Sequence, residues 1–256
     1  MSTPGETPGA APPRVEFTLG QLTCLCRPQL EAPLRLVYAS DPWAYEALRR
    51  APGSELLRGR RPVAAGLLGN GTPVVVKRLH HGGLFASLTG DRFLTPRRVI
   101  TGMAVADFLA ARGVATPDVL FVAWRRAGPF VRGELGFERL SGGTDAADLL
   151  FTRPGGLPEG WRERVGGIGR LVARLHELGV RHGDLNLMNF YCSAEGQVLI
   201  LDLDKADMRA GALRERARRH NLARLERSVR KQGVRSPDDV AAVLTVLRAS
   251  YEAARA

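Results

Sequence analysis

A short polar segment and the strand end that follows it carry the residues best suited to chemistry. His182, Asp184, Asn186 and Asn189 lie within eight consecutive positions, and Asp202 follows where the second of two short apolar runs ends. Phosphoryl transfer needs a carboxylate that orients the attacking hydroxyl and accepts its proton, and oxygen ligands for the magnesium ions that bridge the phosphates. The residue types and their order therefore indicate Asp184 as the base, and Asn189 and Asp202 as magnesium ligands.

The elements that must position this segment are a helix and a hairpin. Apolar residues recur at helical spacing up to Leu178 and Gly179 provides a C-terminal stop, which predicts a helix over 161–178. The runs 190–192 and 198–201 predict two short strands. A lone aspartate after a helix is usually a turn residue or a cap. The complete order of two acids and an amide on these elements favours a catalytic loop instead.

The spacing resembles that of the protein-kinase-like superfamily. The H-G-D beginning at His182 resembles the H-R-D of protein kinases, and the D-L-D beginning at Asp202 resembles their D-F-G. This resemblance implies an α+β, bilobal protein-kinase-like fold, with a small antiparallel β-sheet N-lobe and a mainly helical C-lobe. It also implies Asp204 as a further metal ligand, and His182 and Asn186 as catalytic-loop residues beside Asp184.

Residues 56–77 have the pattern of short strands joined by turns. Apolar runs at 56–57, 63–68 and 74–76 predict three strands, with an Asn-Gly turn at 70–71. In a kinase, Lys77 would reach the α and β phosphates of ATP and the loop at Gly59 would lie over them. An edge-strand lysine and solvated arginines around Gly59 are the simpler alternatives.

A helix over 97–112 and a hairpin over 119–124 and 131–137 complete a predicted lobe of five strands plus a helix. Glu138 and Leu140 then border a hinge whose backbone would bind the adenine edge. Kinases place a glutamate in this helix to pair with the lysine, and here Asp107 is the one acid within 97–112. Upstream, residues 34–38 predict a further short strand.

The chain divides into three predicted parts. Residues 1–13 are rich in proline and glycine and predict a disordered tail. Residues 14–139 form the ATP-binding N-lobe, and 140–256 form the C-lobe with the catalytic loop, the metal site and basic acceptor-side helices.

Composition limits the class of partner. The formal charge of +11 and the pI of about 10.6 indicate an acidic partner, such as a nucleotide, a nucleic acid, a phosphorylated glycolipid or an anionic membrane. No apolar run reaches the roughly 18 residues of a membrane span, and the N-terminus lacks the pattern of a signal peptide. The three cysteines have no metal-ligand spacing and are predicted to be reduced. We therefore expect a cytoplasmic protein.

Five segments resemble the lipopolysaccharide core kinases, in particular the Kdo-kinase-like group. They are K-R-L-H-H-G-G-L from Lys77, G-D-R-F-L from Gly90, H-G-D-L-N-L-M-N from His182, L-D-L-D-K from Leu201 and N-L-A-R-L-E-R-S-V-R-K from Asn221. The resemblance covers about residues 55–231. Its most specific part is the loop with L-D-x-D followed by N-L-x-R-L-x-R-S.

The resemblance implies an enzyme that uses ATP and Mg²⁺ to phosphorylate Kdo, or another inner-core sugar, attached to lipid A. The acceptor would be met at the anionic cytoplasmic face of the inner membrane, with peripheral attachment, and no nucleic-acid partner is expected. Arg224, Arg227 and Lys231 would lie on the acceptor side, where arginine can grip a carboxylate or a phosphate bidentately.

Two alternatives stay open at this point. H-G-D-L also matches aminoglycoside and choline phosphotransferases, from which Asn186 and Leu203 depart. The missing helix glutamate is compatible with a pseudokinase that acts as a binding module. Magnesium-dependent ATP turnover would separate an enzyme from a pseudokinase, and a panel of acceptors would separate the two classes of enzyme.

Overall fold

The structure, a computed structural model, describes residues 12–57, 62–79, 93–152, 155–234 and 236–255. These residues form two compact units. The first unit contains the described residues up to Asp107 together with Pro117–Arg139, and the second unit contains Phe108–Thr116 and the described residues from Leu140 onward. Helices and antiparallel strands are mixed, so the α+β class is confirmed. The predicted boundaries at residues 13 and 139 stay predictions, and residues 1–11 of the predicted tail lie outside the described residues.

A seven-stranded antiparallel sheet is the framework of the first unit. Its strands are β1 (Val15–Leu19), β2 (Leu22–Cys26), β3 (Glu55–Leu57), β4 (Val63–Leu67), β5 (Pro73–Arg78), β6 (Val119–Ala127) and β7 (Phe130–Glu138), in the order β1-β2-β6-β7-β5-β4-β3. The predicted count of five strands is therefore wrong. The two strands that were not predicted are β1 and β2. They pair with each other, and β2 also pairs with β6. In β2, every second residue is buried, namely Leu22, Cys24 and Cys26. This alternation is typical of a β-strand.

Among the described residues, the helices of the first unit are α1 (Glu31–Ser40), α2 (Ala44–Arg50) and most of α3 (Arg97–Ala110), whose last three residues belong to the second unit. Helix α1 corrects the strand predicted for 34–38. Leu34 and Tyr38, four positions apart, are buried, whereas Leu36 is 73% exposed. A helix places residues i and i+4 on one face, so burial of this pair decided the conformation against the local alternation of apolar residues.

Glu134 of β7 fixes the start of α2. Its side chain is fully buried and accepts hydrogen bonds from the Tyr38 hydroxyl at 2.8 Å and from the backbone N–H groups of Ala44 and Tyr45 at 2.8 and 3.1 Å. Burial raises the pKa of this carboxyl, and the three donors act in the opposite direction. A carboxylate at the first turn also satisfies backbone donors that a helix cannot pair by itself. The strand thereby anchors both α1 and α2.

Four helices build most of the second unit: α4 (Ala146–Phe151), α5 (Trp161–Glu177), α6 (Glu215–Gln232) and α7 (Pro237–Ala253). Helices α5 and α7 approach closely at Gly169, where a Cβ would lie 2.7 Å from the carbonyl oxygen of Leu247. No larger residue fits there without moving the backbone of α7. Helix α5 ends where the sequence predicted, since Gly179 has a φ of +75°.

Short strands connect these helices: β8 (Thr144–Asp145), β9 (Val180–Arg181), β10 (Phe190–Cys192), β11 (Val198–Ile200) and β12 (Asp207–Met208). Strand β10 pairs with β11 as the predicted hairpin and also with β8, while β9 pairs with β12. Strand β11 is held at its end by the backbone N–H of Ile200, which donates to the carbonyl of Ala115 at 3.0 Å. These contacts place the loop between β9 and β10 beside the end of β11.

Two composition-based expectations can be compared with the fold. The three cysteines, at positions 24, 26 and 192, are buried and carry free thiols, as predicted. Within the described ranges, no helix combines the length and the apolar character that crossing a bilayer would require.

Candidate active site

The loop between β9 and β10 is tied to the end of β11 through His182. The backbone N–H of Asp184 donates to Nδ1 of His182 at 3.1 Å, so Nδ1 is an acceptor. Nε2 lies 2.9 Å from the carbonyl oxygen of Leu201 and must therefore carry the proton. Burial lowers the pKa of His182, although Asp202, Asp184 and Asp204 act in the opposite direction. The neutral, buried ring of His182 thus links the loop by hydrogen bonds to Leu201, the residue before Asp202.

Two asparagines lock the backbone at Asp184. Asn186 and Asn189 donate from Nδ2 to the carbonyl oxygen of Asp184 at 2.7 and 2.8 Å. Asn186 also accepts from the backbone N–H of Met188 at 3.0 Å, an Asx turn that begins the 3₁₀ turn Leu187–Asn189. Both amide side chains therefore hold the loop that presents the Asp184 carboxylate.

Asp202 has an unusual backbone conformation. Its φ is 59° and its ψ is 57°, and within the described ranges it is the one non-glycine residue at positive φ. Such a conformation costs on the order of 1 kcal/mol for an L-residue, although aspartate and asparagine tolerate it best. The 3₁₀ turn Leu203–Lys205 follows and buries Asp204. Strain at a carboxylate beside a loop of polar residues is the kind of outlier that active sites retain.

The donor set around Asp202 fits magnesium. The backbone N–H of Leu201 donates to the carbonyl of Asn189 at 2.8 Å, which brings Asn189 beside the end of β11. Asn189 uses Nδ2 toward Asp184, so Oδ1 is the atom that could bind a cation. In the part of the chain described, no three His, Cys, Asp or Glu side chains form a metal-binding group. Magnesium usually binds one or two carboxylates and completes its coordination shell with phosphate oxygens and water. The side-chain oxygens of Asp202, Asp204 and Asn189 are ligands of this kind.

Side chains on one face of helix α6 contact this loop. Asn221 donates from Nδ2 to the carbonyl of His182 at 2.8 Å, and the Ser228 hydroxyl accepts from the backbone N–H of Leu187 at 3.1 Å. Between them, Nη2 of Arg224 donates to Oδ1 of Asp184. Positions i, i+3 and i+7 share one helix face. This explains the segment N-L-x-R-L-x-R-S in physical terms, because its Asn, its first Arg and its Ser all contact the loop.

Asp184 is flanked by two cations. Arg224 contacts Oδ1, and Nζ of Lys205 lies 3.7 Å from Oδ2. The Asp184 side chain is 19% exposed, whereas those of Arg224 and Lys205 are 46% and 39% exposed. The carboxylate is therefore mostly enclosed, and its two counter-ions reach it from more exposed positions.

A buried polar chain supports α6 from the side of α7. Nδ1 of His176 lies 2.8 Å from the Tyr251 hydroxyl, and Nε2 lies 3.1 Å from Oδ1 of Asn221. Asn221 in turn donates from Nδ2 to the carbonyl oxygen of His182. Burial lowers the pKa of His176 to about 4, so the ring is neutral at physiological pH. Sequence reasoning missed this chain, because Asn221 and Tyr251 lie 45 and 75 positions from His176 in the sequence.

Of the residues predicted to bind nucleotide, Lys77 and Glu138 belong to the first unit and Leu140 belongs to the second. Lys77 is half-buried on β5 and pairs in register with Leu135 of β7. The backbone N–H of Glu138 donates to the carbonyl of Asp118 at 2.9 Å. Gly59 and the glycine pair at 82–83 lie outside the described residues.

Asp107, the one acid of α3, is engaged elsewhere. Both of its carboxylate oxygens accept from Arg14, at 3.0 Å from Nε and 2.6 Å from Nη2. Asp107 is thus an anchor for the chain just before β1. The remaining acceptor-side candidates, Arg227 and Lys231, are exposed on α6. Their predicted role stays a prediction.

Comparison with known proteins identifies the class. Residues 55–246 match the model of the lipopolysaccharide kinase (Kdo/WaaP) family. The chain belongs to this family, which confirms the resemblance drawn from its motifs. It is accordingly a phosphotransferase with an alcohol group as acceptor.

Curated relatives cover most of the chain. A 3-deoxy-D-manno-octulosonic acid kinase of Xylella fastidiosa (strain M12) is 32% identical over 211 residues, which is 80% of each chain. Proteins of the same name from Xanthomonas campestris pv. campestris (strain B100) and Stenotrophomonas maltophilia (strain R551-3) are 33% and 32% identical over 186 residues, or 70% of this chain and 71% of each relative. Kdo is the short name of that sugar acid.

Proposed function

We propose that this protein is an ATP- and magnesium-dependent kinase that phosphorylates a hydroxyl group of Kdo, or of another inner-core sugar, on lipid A. The observation that carries the proposal is the Asp184 loop: His182, Asn186 and Asn189 bond to the backbone of Asp184, and His182 also ties it to Leu201, next to Asp202. The loop thereby presents the enclosed carboxylate of Asp184. The family and the relatives' names support the sugar acceptor. We further propose that the two units are the lobes of a protein-kinase-like fold.

Asp184 would act on the acceptor hydroxyl. The carboxylate accepts the hydrogen bond of the hydroxyl and takes up its proton as the hydroxyl oxygen bonds to the γ-phosphorus of ATP. The bond between that phosphorus and the β–γ bridging oxygen breaks, and ADP leaves. Bound magnesium, held by Asn189, Asp202 and Asp204, would neutralise charge on the phosphates. Lys77 would contact the α and β phosphates, and the carbonyl of Glu138 would accept from adenine.

The basic character of α6 suits an acceptor in an anionic membrane. Arg227, Arg230 and Lys231 are exposed along its second half. Each basic residue near an anionic leaflet contributes on the order of 1 kcal/mol to attraction. Peripheral attachment of a cytoplasmic protein at the inner membrane follows as part of the proposal.

A transfer assay with radiolabelled ATP tests the function. The acceptors are Kdo-lipid A, heptosylated lipid A and an aminoglycoside, each with and without magnesium. We expect magnesium-dependent transfer to the Kdo-containing lipids and none to the aminoglycoside. Transfer to the aminoglycoside alone would instead indicate a small-molecule phosphotransferase, and ATP binding without transfer to any acceptor would indicate a pseudokinase.

A further inference from the structure

The ion pair between Arg224 and Asp184 occupies the carboxylate that the proposed reaction needs. With Arg224 at Oδ1 and Lys205 near Oδ2, both oxygens of Asp184 face a cation. An acceptor hydroxyl must donate to one of these oxygens, so it competes with a charged donor, and hydrogen bonds with charged donors are roughly twice as strong as neutral ones. The resting site therefore resists a neutral acceptor.

The guanidinium of Arg224 can move without releasing α6. Asn221 and Ser228, about one turn to either side, are bonded to the carbonyl of His182 and the N–H of Leu187. Leu225, next to Arg224, is fully buried. These contacts hold the helix on the loop, whereas the side chain of Arg224 is 46% exposed. Arg224 therefore has a long, half-exposed side chain on a helix that is held in place by other residues.

A guanidinium offers five N–H donors in a plane, and the contact with Asp184 is made by Nη2. A second oxyanion of suitable shape can therefore form two parallel hydrogen bonds with Arg224. Such a bidentate contact is favoured over the contact that Nη2 makes with Asp184. An acceptor that carries a carboxylate close to its reacting hydroxyl would bring such an oxyanion into the site.

We propose that Arg224 is the specificity-determining residue for an acidic acceptor. The acceptor carboxylate binds Arg224 and draws it from Oδ1 of Asp184, and this oxygen then receives the acceptor hydroxyl. This inference rests on the proposed kinase function and names the chemical class that the site selects: a sugar acid with its anionic group beside the hydroxyl that is phosphorylated.

Two acceptors that differ in one charge test this proposal. The first is a soluble methyl glycoside of Kdo, and the second is the same glycoside with its carboxylate converted to the neutral amide. Wild-type protein, Arg224→Gln and Arg224→Lys are assayed for kcat and KM with radiolabelled ATP. Arg219→Gln, at an exposed arginine five positions earlier on α6, is the matched control.

We expect wild-type kcat/KM to favour the acid by roughly tenfold to a hundredfold, the effect of one hydrogen bond between charged groups. Arg224→Gln should lose this preference, so that its kcat/KM for the acid falls to about its kcat/KM for the amide. Arg224→Lys should retain part of the preference, and Arg219→Gln should retain all of it.

Other outcomes overturn distinct statements. Equal loss toward both acceptors in Arg224→Gln would make Arg224 a structural tie of α6. An undiminished preference for the acid would place recognition at another residue. Equal transfer to both acceptors by the wild type would refute selection by charge while leaving the kinase function in place. No transfer by the wild type to either glycoside or to Kdo-lipid A would refute the proposed function and, with it, this inference.

Discussion

His182 donates from Nε2 to the carbonyl oxygen of Leu201 at 2.9 Å, across 19 positions of sequence. Asp184 follows His182 by two positions and Asp202 follows Leu201 directly. This bond therefore helps to set the distance between the proposed base and the proposed magnesium ligand. Because the ring is buried and neutral, it does so without placing a further charge between the two acids.

Replacement of Asp184 by asparagine should lower turnover strongly and leave the fold intact. The amide keeps the size of the side chain but accepts no proton, so kcat should fall by about a hundredfold or more. ATP affinity should stay close to wild type, because Asp184 acts on the acceptor. Single-turnover transfer and ATP titration measure the two effects. Asp207→Asn, at an exposed aspartate that pairs with Arg181, is the control, and a variant Asp184→Asn that retains a tenth of the wild-type rate would contradict the assignment.

Replacement of Asp202 should separate metal binding from backbone strain. Asp202→Asn removes a charge from a hard-cation site, so magnesium-dependent ATP binding should weaken. Its stability should match wild type, because asparagine tolerates the positive φ of 59°. Asp202→Ala should weaken ATP binding too and also lose about 1 kcal/mol of stability. ATP titration with and without magnesium, together with urea unfolding, provides both measurements. If Asp202→Asn keeps its magnesium dependence, Asp204 is the ligand.

Stability should fall as the pH drops below 6.5, owing to His176. Burial lowers the pKa of this histidine from 6.5 to about 4. Between these values the unfolded chain binds a proton that the folded chain excludes. The contribution of neutral His176 is thus fully present above pH 6.5 and is lost as the pH falls toward 4, by about 3 kcal/mol at roughly 1.4 kcal/mol per pKa unit.

Urea unfolding between pH 4.5 and 7.5 measures this dependence for wild type and His176→Gln. The glutamine variant should show a shallower slope of unfolding free energy against pH over this range, whatever its absolute stability. His220→Gln, at an exposed histidine of α6, should keep the wild-type slope. A wild-type slope in His176→Gln would assign the pH dependence to other groups.

Arg14 should be needed for the stability of the first unit. Its side chain is 8% exposed and that of Asp107 is 13% exposed, so Arg14→Gln leaves an enclosed carboxylate unpaired. Removing one partner of a buried ion pair costs about 3–5 kcal/mol. Arg49→Gln, which breaks a more exposed pair with Glu46, should change stability by less than about 1 kcal/mol. The double variant Arg14→Gln, Asp107→Asn should regain part of the loss, and unfolding midpoints that match for both single variants would contradict this role.

The sequence by itself determined the local parts of the site. Gly179 ends α5, and Asn186 and Asn189 bond to Asp184 within five positions, because turns and caps depend on neighbouring residues. Helical and strand periodicities were likewise sufficient for α5, β5 and the hairpin of β6 and β7. The order of Asp184, Asn189 and Asp202 then indicated phosphoryl transfer, which family membership confirms at the level of the enzyme class.

The tertiary structure alone decided which distant groups meet. The sequence predicted Arg224 to lie on the acceptor side, but its contact with Asp184 spans 40 positions and depends on how α6 packs on the loop. The segment at 34–38 alternates like a strand, yet it became helix because Tyr38 reaches the buried Glu134, 96 positions away. Local periodicity cannot weigh such contacts, since the free energy of burying a side chain and pairing its polar atoms depends on a partner that only the folded chain brings near.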